Sequence, residues 1–250
     1  MAVQFVRASS TYLYTTDLPL SGMPFVFGNW YWMNSVGTSA QANMSLSNGS
    51  LTTGFYFHGI GSDERLVITA NDGTSTTTSG TTILTANGGW VYLLTRFISA
   101  TNRRTSILLP SGLVEGATNT TSRNPTGITR LGFGANVIST PALFADGKVA
   151  EAFVATGDIA SSDQPVTRDQ MMQLAYNGPF SIPNVASQVR FYASFRDSVT
   201  NAFIANRDSN GLLVPTSLTT SATAPSLVNH PPLGSEYERP RENSKRLLLI

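Results

Sequence analysis

FADGKVAEAFVATGDIASSDQPVTRDQMMQLAYNG, residues 144–178, is the stretch whose reading decides the fold. The pair Asp146-Gly147 is a turn signal, and it launches an apolar run over 149–155 that reads as a buried strand. A polar loop over 157–164 follows, and then a short helix with nearly every start and stop signal. Thr167 and Gln170 form a T-x-x-Q capping box, in which each satisfies a backbone donor that the first helical turn leaves orphaned. Val166 and Met171 occupy the two positions of a hydrophobic staple. Met171, Leu174 and Ala175 recur at i, i+3 and i+4, so one face of the helix is apolar. Gly178 and Pro179 end it, glycine by accepting φ > 0 and proline by refusing to continue. No other stretch carries a strong helix signal.

Outward from this unit the chain reads as strands. In the N-terminal half these are 3–7, 12–14, the aromatic run PFVFGNWYWMN at 24–34, then 54–58 and 65–69. Asn71-Asp72-Gly73 is a hairpin-turn signal, extended by the polar run 74–80. WVYLLTRFI at 90–98 and TSILL at 105–109 pair across Ala100-Thr101-Asn102, and 119–127 is a polar loop. Strands at 128–133, 188–195 and 202–205 complete the set. Strands at short intervals with turns between them, and no strand–helix alternation, argue for an all-β sandwich or jelly roll with one short helix near 167–177. The expected organisation is a β-sandwich over 1–215 and an extended C-terminal segment with a docking arm over 216–250.

Composition narrows the function. The hydrophobic fraction of 41% supplies a core, whereas only 12% of residues are charged, about half the usual ~25%. Ser, Thr, Asn and Gly make the polar surface, and Lys148 and Lys245 are the only lysines. A net charge of +1 provides no field for nucleic acid or an anionic bilayer, and no apolar run reaches the ~20 residues needed to span a membrane. The absence of cysteine removes disulfides and thiolate metal sites. An extracellular-looking surface beside an N-terminus without a cationic, then apolar, leader points to a particle assembled in a cytoplasm and released by lysis. The expectation is a phage virion protein that is not an enzyme, with other virion proteins and further copies of itself as partners.

Several motifs in order resemble the concanavalin A-like lectin/glucanase superfamily, in its laminin-G-like branch. Phe5 with Tyr12-Leu13 is similar to its opening strand pair, and 24–33 to its early aromatic strand. Trp90-Val91-Tyr92 resembles its W-x-H/Y strand, 107–112 the following hairpin, and Leu131-Gly132 its I-x-I-G strand. Gly147-Lys148-Val149-Ala150-Glu151 resembles its G-x-I-D-E strand, ahead of loop and helix. The resemblance covers roughly 3–178 and implies two stacked antiparallel sheets to which the residues from 188 onward return. It departs from the family pattern at Tyr92, at Pro110-Ser111 and at Ala150.

Candidate chemistry is sparse. Glycoside hydrolases of the superfamily carry an E-x-D-x-x-E strand because two carboxylates must converge on one bond. That motif is missing, and Glu236-x-Glu238 lies in a charged tail. Of two histidines, His58 is expected to be a hydrogen-bonded strand residue and His230 a surface residue. Calcium at a sandwich rim would call on Asp63, Asp72 or Asp146, for which turn formation is the commoner role. Asn43, Asn48 and Asn119 sit in N-x-S/T triplets that carry no weight without a secretory signal. Alternation sends Trp30 and Trp32 to one face of their strand, where core packing is the expected role and a sugar-stacking platform the alternative. The arm 236–246 holds seven charges and is tipped by four apolar residues. Tyr237, Arg239, Arg241, Leu247, Leu248, Leu249 and Ile250 are its candidate docking contacts. The leading expectation is a virion structural or interaction protein, in capsid decoration or a tail or fibre. A lectin recognising host-surface glycan is the alternative, and a glycoside hydrolase the least favoured.

Overall fold

A computed structural model describes residues 1–20, 22–35, 40–50, 54–160, 164–205 and 213–229, the side chains of 78–82 excepted. Among the described residues, seventeen strands follow one another along the chain. The first seven are β1 Ala2–Phe5, β2 Leu13–Thr15, β3 Phe25–Met33, β4 Gln41–Ser47, β5 Phe55–Ile60, β6 Arg65–Asn71 and β7 Ser75–Ile83. β8 Val91–Ser99, β9 Asn102–Leu109, β10 Gly112–Glu115, β11 Arg130–Phe133 and β12 Gly147–Thr156 precede helix α1, Arg168–Asn177. After a one-turn helix α2, Pro183–Ala186, come β13 Val189–Ala193, β14 Asn201–Ala205, β15 Leu213–Ser217, β16 Thr219–Thr220 and β17 Ser226–Val228.

The strands form two antiparallel sheets, and the fold is an all-β jelly-roll sandwich. One sheet runs β10-β9-β8-β3-β12-β13-β14-β15, with β1 joined to β12 and β17 joined to β1; the other runs β16-β2-β11-β4-β5-β6-β7. Between them lies a core that includes Phe25, Phe27, Tyr31, Met44, Leu46, Tyr56, Leu93, Phe97, Phe133, Val154 and Phe191. The return of 188 onward to the first sheet, implied by the family resemblance, is observed as β13 to β15. Residues 216–229 supply β16 and β17 to the two sheets.

Each sheet has a cover on its outer face. Over the first sheet lies α1, with the capping box of Thr167 and Gln170 in place and Met171, Leu174 and Ala175 buried against Val26, Trp30, Tyr92, Leu94 and Phe153. Charge pins its approach. Arg96, its side chain fully buried, donates from Nε and Nη2 to the Asp158 carboxylate at 2.7 and 2.6 Å and from Nη1 to the Gln164 carbonyl at 2.9 Å. Over the second sheet lies the segment 134–143, whose Ile138, Ala142 and Leu143 meet Ala42, Phe55, Phe57 and Val67.

Two long strands of the second sheet differ from the sequence reading. The polar run after Asp72, read as part of a turn, is strand β7, because threonine favours the extended pleat as much as it favours polarity. β4 was not recognisable as a strand. Its Ser45 and Ser47 are buried, and they bond the backbone of Ala135 and Val137 in the covering segment.

Candidate functional site

Three neighbouring strands of the first sheet set up two parallel rows of side chains on its outer face. Cross-strand register pairs Trp30 with Tyr92 and with Ala150, and pairs Trp32 with Lys148. Trp90 lies one residue before β8, which places it beside Trp32. The first row is Tyr92–Trp30–Ala150 and the second, toward the end of the strands, is Trp90–Trp32–Lys148.

α1 covers the first row only. Trp30 is 4% exposed, its Nε1–H donates to the Ala175 carbonyl at 2.8 Å, and Tyr92 and Tyr176 meet its ring edge-on, each at 5.5 Å. Gly178 then stops the helix, and the chain turns toward β13, where Phe180 packs on Tyr192. The second row therefore remains partly exposed. Trp32 and Trp90 stand 5.9 Å apart at 68°, an aromatic corner, and the Lys148 ammonium sits 4.5 Å from the Trp32 ring centroid. The structure thus corrects the core expectation for half of the pair: Trp30 is core, Trp32 is rim. Sequence alternation gives the face of a residue, but not how far along a strand the cover reaches.

A chain of hydrogen bonds ties Trp32 into this corner. Trp32 Nε1–H donates to Asn87 Oδ1 at 3.3 Å, and Asn87 Nδ2 donates to the Asn34 carbonyl at 3.2 Å. The Asn87 backbone N–H reaches the Met33 carbonyl at 2.8 Å, with φ +57. Asn34 Nδ2 and the Ser35 hydroxyl donate to the Asp146 carboxylate, whose own backbone N–H donates to Gln41 Oε1 at 2.7 Å. Neither Asn87 nor Lys148 was read from sequence as a site residue. The Asn87-Gly88-Gly89 turn signal ahead of Trp90 was the available clue.

Beside the corner, a cleft of ≈160 Å³ enters the end of the sandwich between the sheets. Met33, Leu84, Val91 and Leu109 line it, Trp90 forms part of its wall, and Gly88 and Gly89 bring bare backbone to its edge.

The other candidates are accounted for elsewhere. His58 is fully buried between the sheets. Asn29 Nδ2 donates to the Trp30 carbonyl, so Asn29 Oδ1 is the acceptor for His58 Nε2–H at 2.7 Å; Nδ1 then accepts from the Thr95 hydroxyl at 2.9 Å. Burial lowers the His58 pKa to about 3, so the ring is neutral and walled in. Asp63 accepts from the Arg65 backbone N–H and pairs with its side chain; Asp72 accepts from the Asn124 backbone N–H and pairs with Arg123. With Asp146 serving the network above, the three carboxylates do not converge, and among the described residues no three His, Asp or Glu gather as a metal site. Asn43 is buried. Tyr237, Arg239, Arg241, Leu247, Leu248, Leu249 and Ile250, with His230, Glu236 and Glu238, lie outside the described residues.

Glu151, which the sequence marked only through the G-x-I-D-E resemblance, proves to be a buried ion-pair residue. It adopts φ +48 in a bulge of β12, at the point where the neighbour of that strand changes from β1 to β13. Its carboxylate, 1% exposed, accepts from Arg196 Nε at 2.8 Å and from the Tyr192 hydroxyl. A buried carboxylate so engaged fastens the bulge.

No protein-family model matches the chain, and no curated protein matches it. Among solved structures, the heptameric SAP-like pentraxin from Limulus polyphemus matches with a TM-score of 0.52 and 9% identity, over 88% of this chain and 93% of that one. The K499G mutant of NanB sialidase from Streptococcus pneumoniae matches with a TM-score of 0.51 and 14% identity over 66% of this chain. Only 27% of the sialidase chain is spanned. The similarity is one of fold.

Proposed function

We propose that this domain is a non-catalytic carbohydrate-binding module, whose site is the Trp90–Trp32–Lys148 row. The observation that carries the reading is the open aromatic corner. Two indoles meet at 68°, that of Trp32 tied by its N–H to Asn87, with a cation and an amide beside them. Sugars present C–H faces that pack on indole and hydroxyls that bond to Lys or Asn. Such sites combine aromatic walls with few, fixed polar groups. A binding role also fits the remaining chemistry, since His58 is sealed in the core and Glu151 is held by Arg196 and Tyr192. No metal takes part in this reading.

The test is a glycan array followed by calorimetry on the hits. Trp32→Ala and Trp90→Ala are each expected to weaken binding at least ~10-fold, an effect of roughly 1.4 kcal/mol. EDTA is expected to leave binding unchanged. Full affinity in both variants would remove the site.

A second reading keeps the domain in a virion, as a structural or interaction component that forms homo-oligomers. The charge-poor surface and the apolar-tipped arm 236–250 favour it. Deleting 236–250 should then abolish incorporation into particles while leaving the sandwich folded. A glycan-binding module is compatible with that location as a host-recognition device.

A further inference from the structure

The cleft beside Trp90 deepens the carbohydrate reading and rests on it. Its walls are of two kinds. Met33, Leu84, Val91 and Leu109 make an apolar interior, while Thr85, Gly88 and Gly89 line its edge, the Gly88 N–H donating to the Thr85 carbonyl at 2.9 Å. Glycine is needed here. A Cβ on Gly88 would stand 2.8 Å from the Thr85 carbonyl oxygen, and Gly89 has φ +123 with nothing within 4 Å of a built Cβ, so its backbone borders open space. Ile83, 54% exposed, lies at the mouth, and Trp90 belongs to both the cleft and the aromatic corner. Whatever enters must be small, must be attached to a group resting on Trp90, and must offer an apolar end to the interior and polar atoms to the peptide edge. A cavity of ~150 Å³ accepts benzene, so ≈160 Å³ is ample for a smaller substituent.

We propose that the cleft receives the acetamido group of an N-acetylated sugar whose ring packs on Trp90. The methyl enters among Leu84, Val91 and Leu109, and the amide N–H and carbonyl face the backbone of 85–89. A hydroxyl at the same ring position would leave the apolar interior unfilled. The site therefore selects 2-acetamido sugars over their parent hexoses.

The experiment titrates the full chain with methyl glycosides of N-acetylglucosamine, N-acetylgalactosamine and N-acetylmannosamine, each beside its parent hexose. Methyl resonances of Leu84 and Val91 serve as the local readout. At least one N-acetylated sugar is expected to bind about tenfold tighter than its parent, with those methyls shifting, because one buried methyl and one amide contact separate the pair. Thr85→Trp, at the exposed mouth, should bring the two to within about twofold. Ile83→Trp is a second plug should the first perturb folding. Equal affinity for acetamido and parent sugars overturns the inference and leaves the Trp32–Trp90 site standing. Tight acetamido binding with silent Leu84 and Val91 methyls also overturns it. Binding of none of the sugars overturns it together with the carbohydrate reading, provided the glycan array is blank as well. An array hit lacking any acetamido group overturns the inference alone.

Discussion

Trp30 and Trp32 lie on one strand, point to one face and are two residues apart, yet they have opposite surroundings. Trp30 has the last turn of α1 above it, an acceptor for its N–H in Ala175 and two tyrosines at its edges. Trp32 has Lys148 over its ring, Trp90 at its edge and solvent beyond. The difference comes from where the helix stops. Gly178 turns the chain away one row too early to cover Trp32, and a side chain that would otherwise be core becomes surface chemistry.

The largest way to break this comparison is Trp30→Ala. It should cost about 3–5 kcal/mol of stability, since it removes a large buried ring and leaves a cavity beneath the helix. Urea unfolding that shows a loss below about 1 kcal/mol would mean that the covered row is not core.

Acid tests the layer directly beneath. His58 is bonded to Asn29, whose side chain in turn holds the Trp30 carbonyl. Its pKa is about 3 in the fold and ~6.5 in an unfolded chain. Between those values the unfolded chain binds the additional proton, so the stability present above pH 6.5 is lost as pH falls toward 3. The slope approaches about 1.4 kcal/mol per pH unit below the upper value. Denaturant midpoints at pH 7, 6 and 5 should fall in the wild type, and fall less in His58→Gln. Identical slopes would show that the ring is not sealed.

Thr167→Ala should cost about 1 kcal/mol by removing the N-cap of the helix that roofs Trp30. Thermal melting reads it, and a Trp30 environment loosened by the change would shift tryptophan emission to the red. Trp32→Ala is expected to alter stability least, by roughly 0.5 kcal/mol or less, because its row has no roof. Paired with the loss of sugar binding expected for the same variant, that small effect gives the sharpest form of the contrast. A large destabilisation would make Trp32 structural after all.

Much of the fold was legible because the signals were local. The capping box, the staple and the Gly178-Pro179 stop lie within fifteen residues; the box and the stop are in place, and Val166 and Met171 are buried in one cluster. β4 was illegible for the opposite reason. Its serines are satisfied by backbone some ninety residues away, and a bulge between Ala42 and Met44 breaks its alternation. The site was half legible. The face of Trp32 followed from alternation, but its exposure depends on the register of three strands and the length of a helix in another part of the chain. Glu151 was marked only as the last position of the G-x-I-D-E resemblance, and its left-handed conformation and buried partners have no sequence signature inside an apolar strand.

The pairing of β1 with β17 sets Ala2 opposite Val228, with the strands antiparallel. Tension applied through these two points pulls neighbouring strands apart from a shared end, so their bonds are loaded one after another instead of together. The sandwich would yield there first, by peeling, at forces far below those needed to shear a ladder. Trp32 lies on β3 and Trp90 one residue before β8, beyond β12 from the strands that peel, whereas Lys148 lies on β12 itself, opposite Gln4 of β1. A ligand held at Trp32 and Trp90 would still be held after the first strands had given way, which makes the β1–β17 pair a slack element in series with the grip.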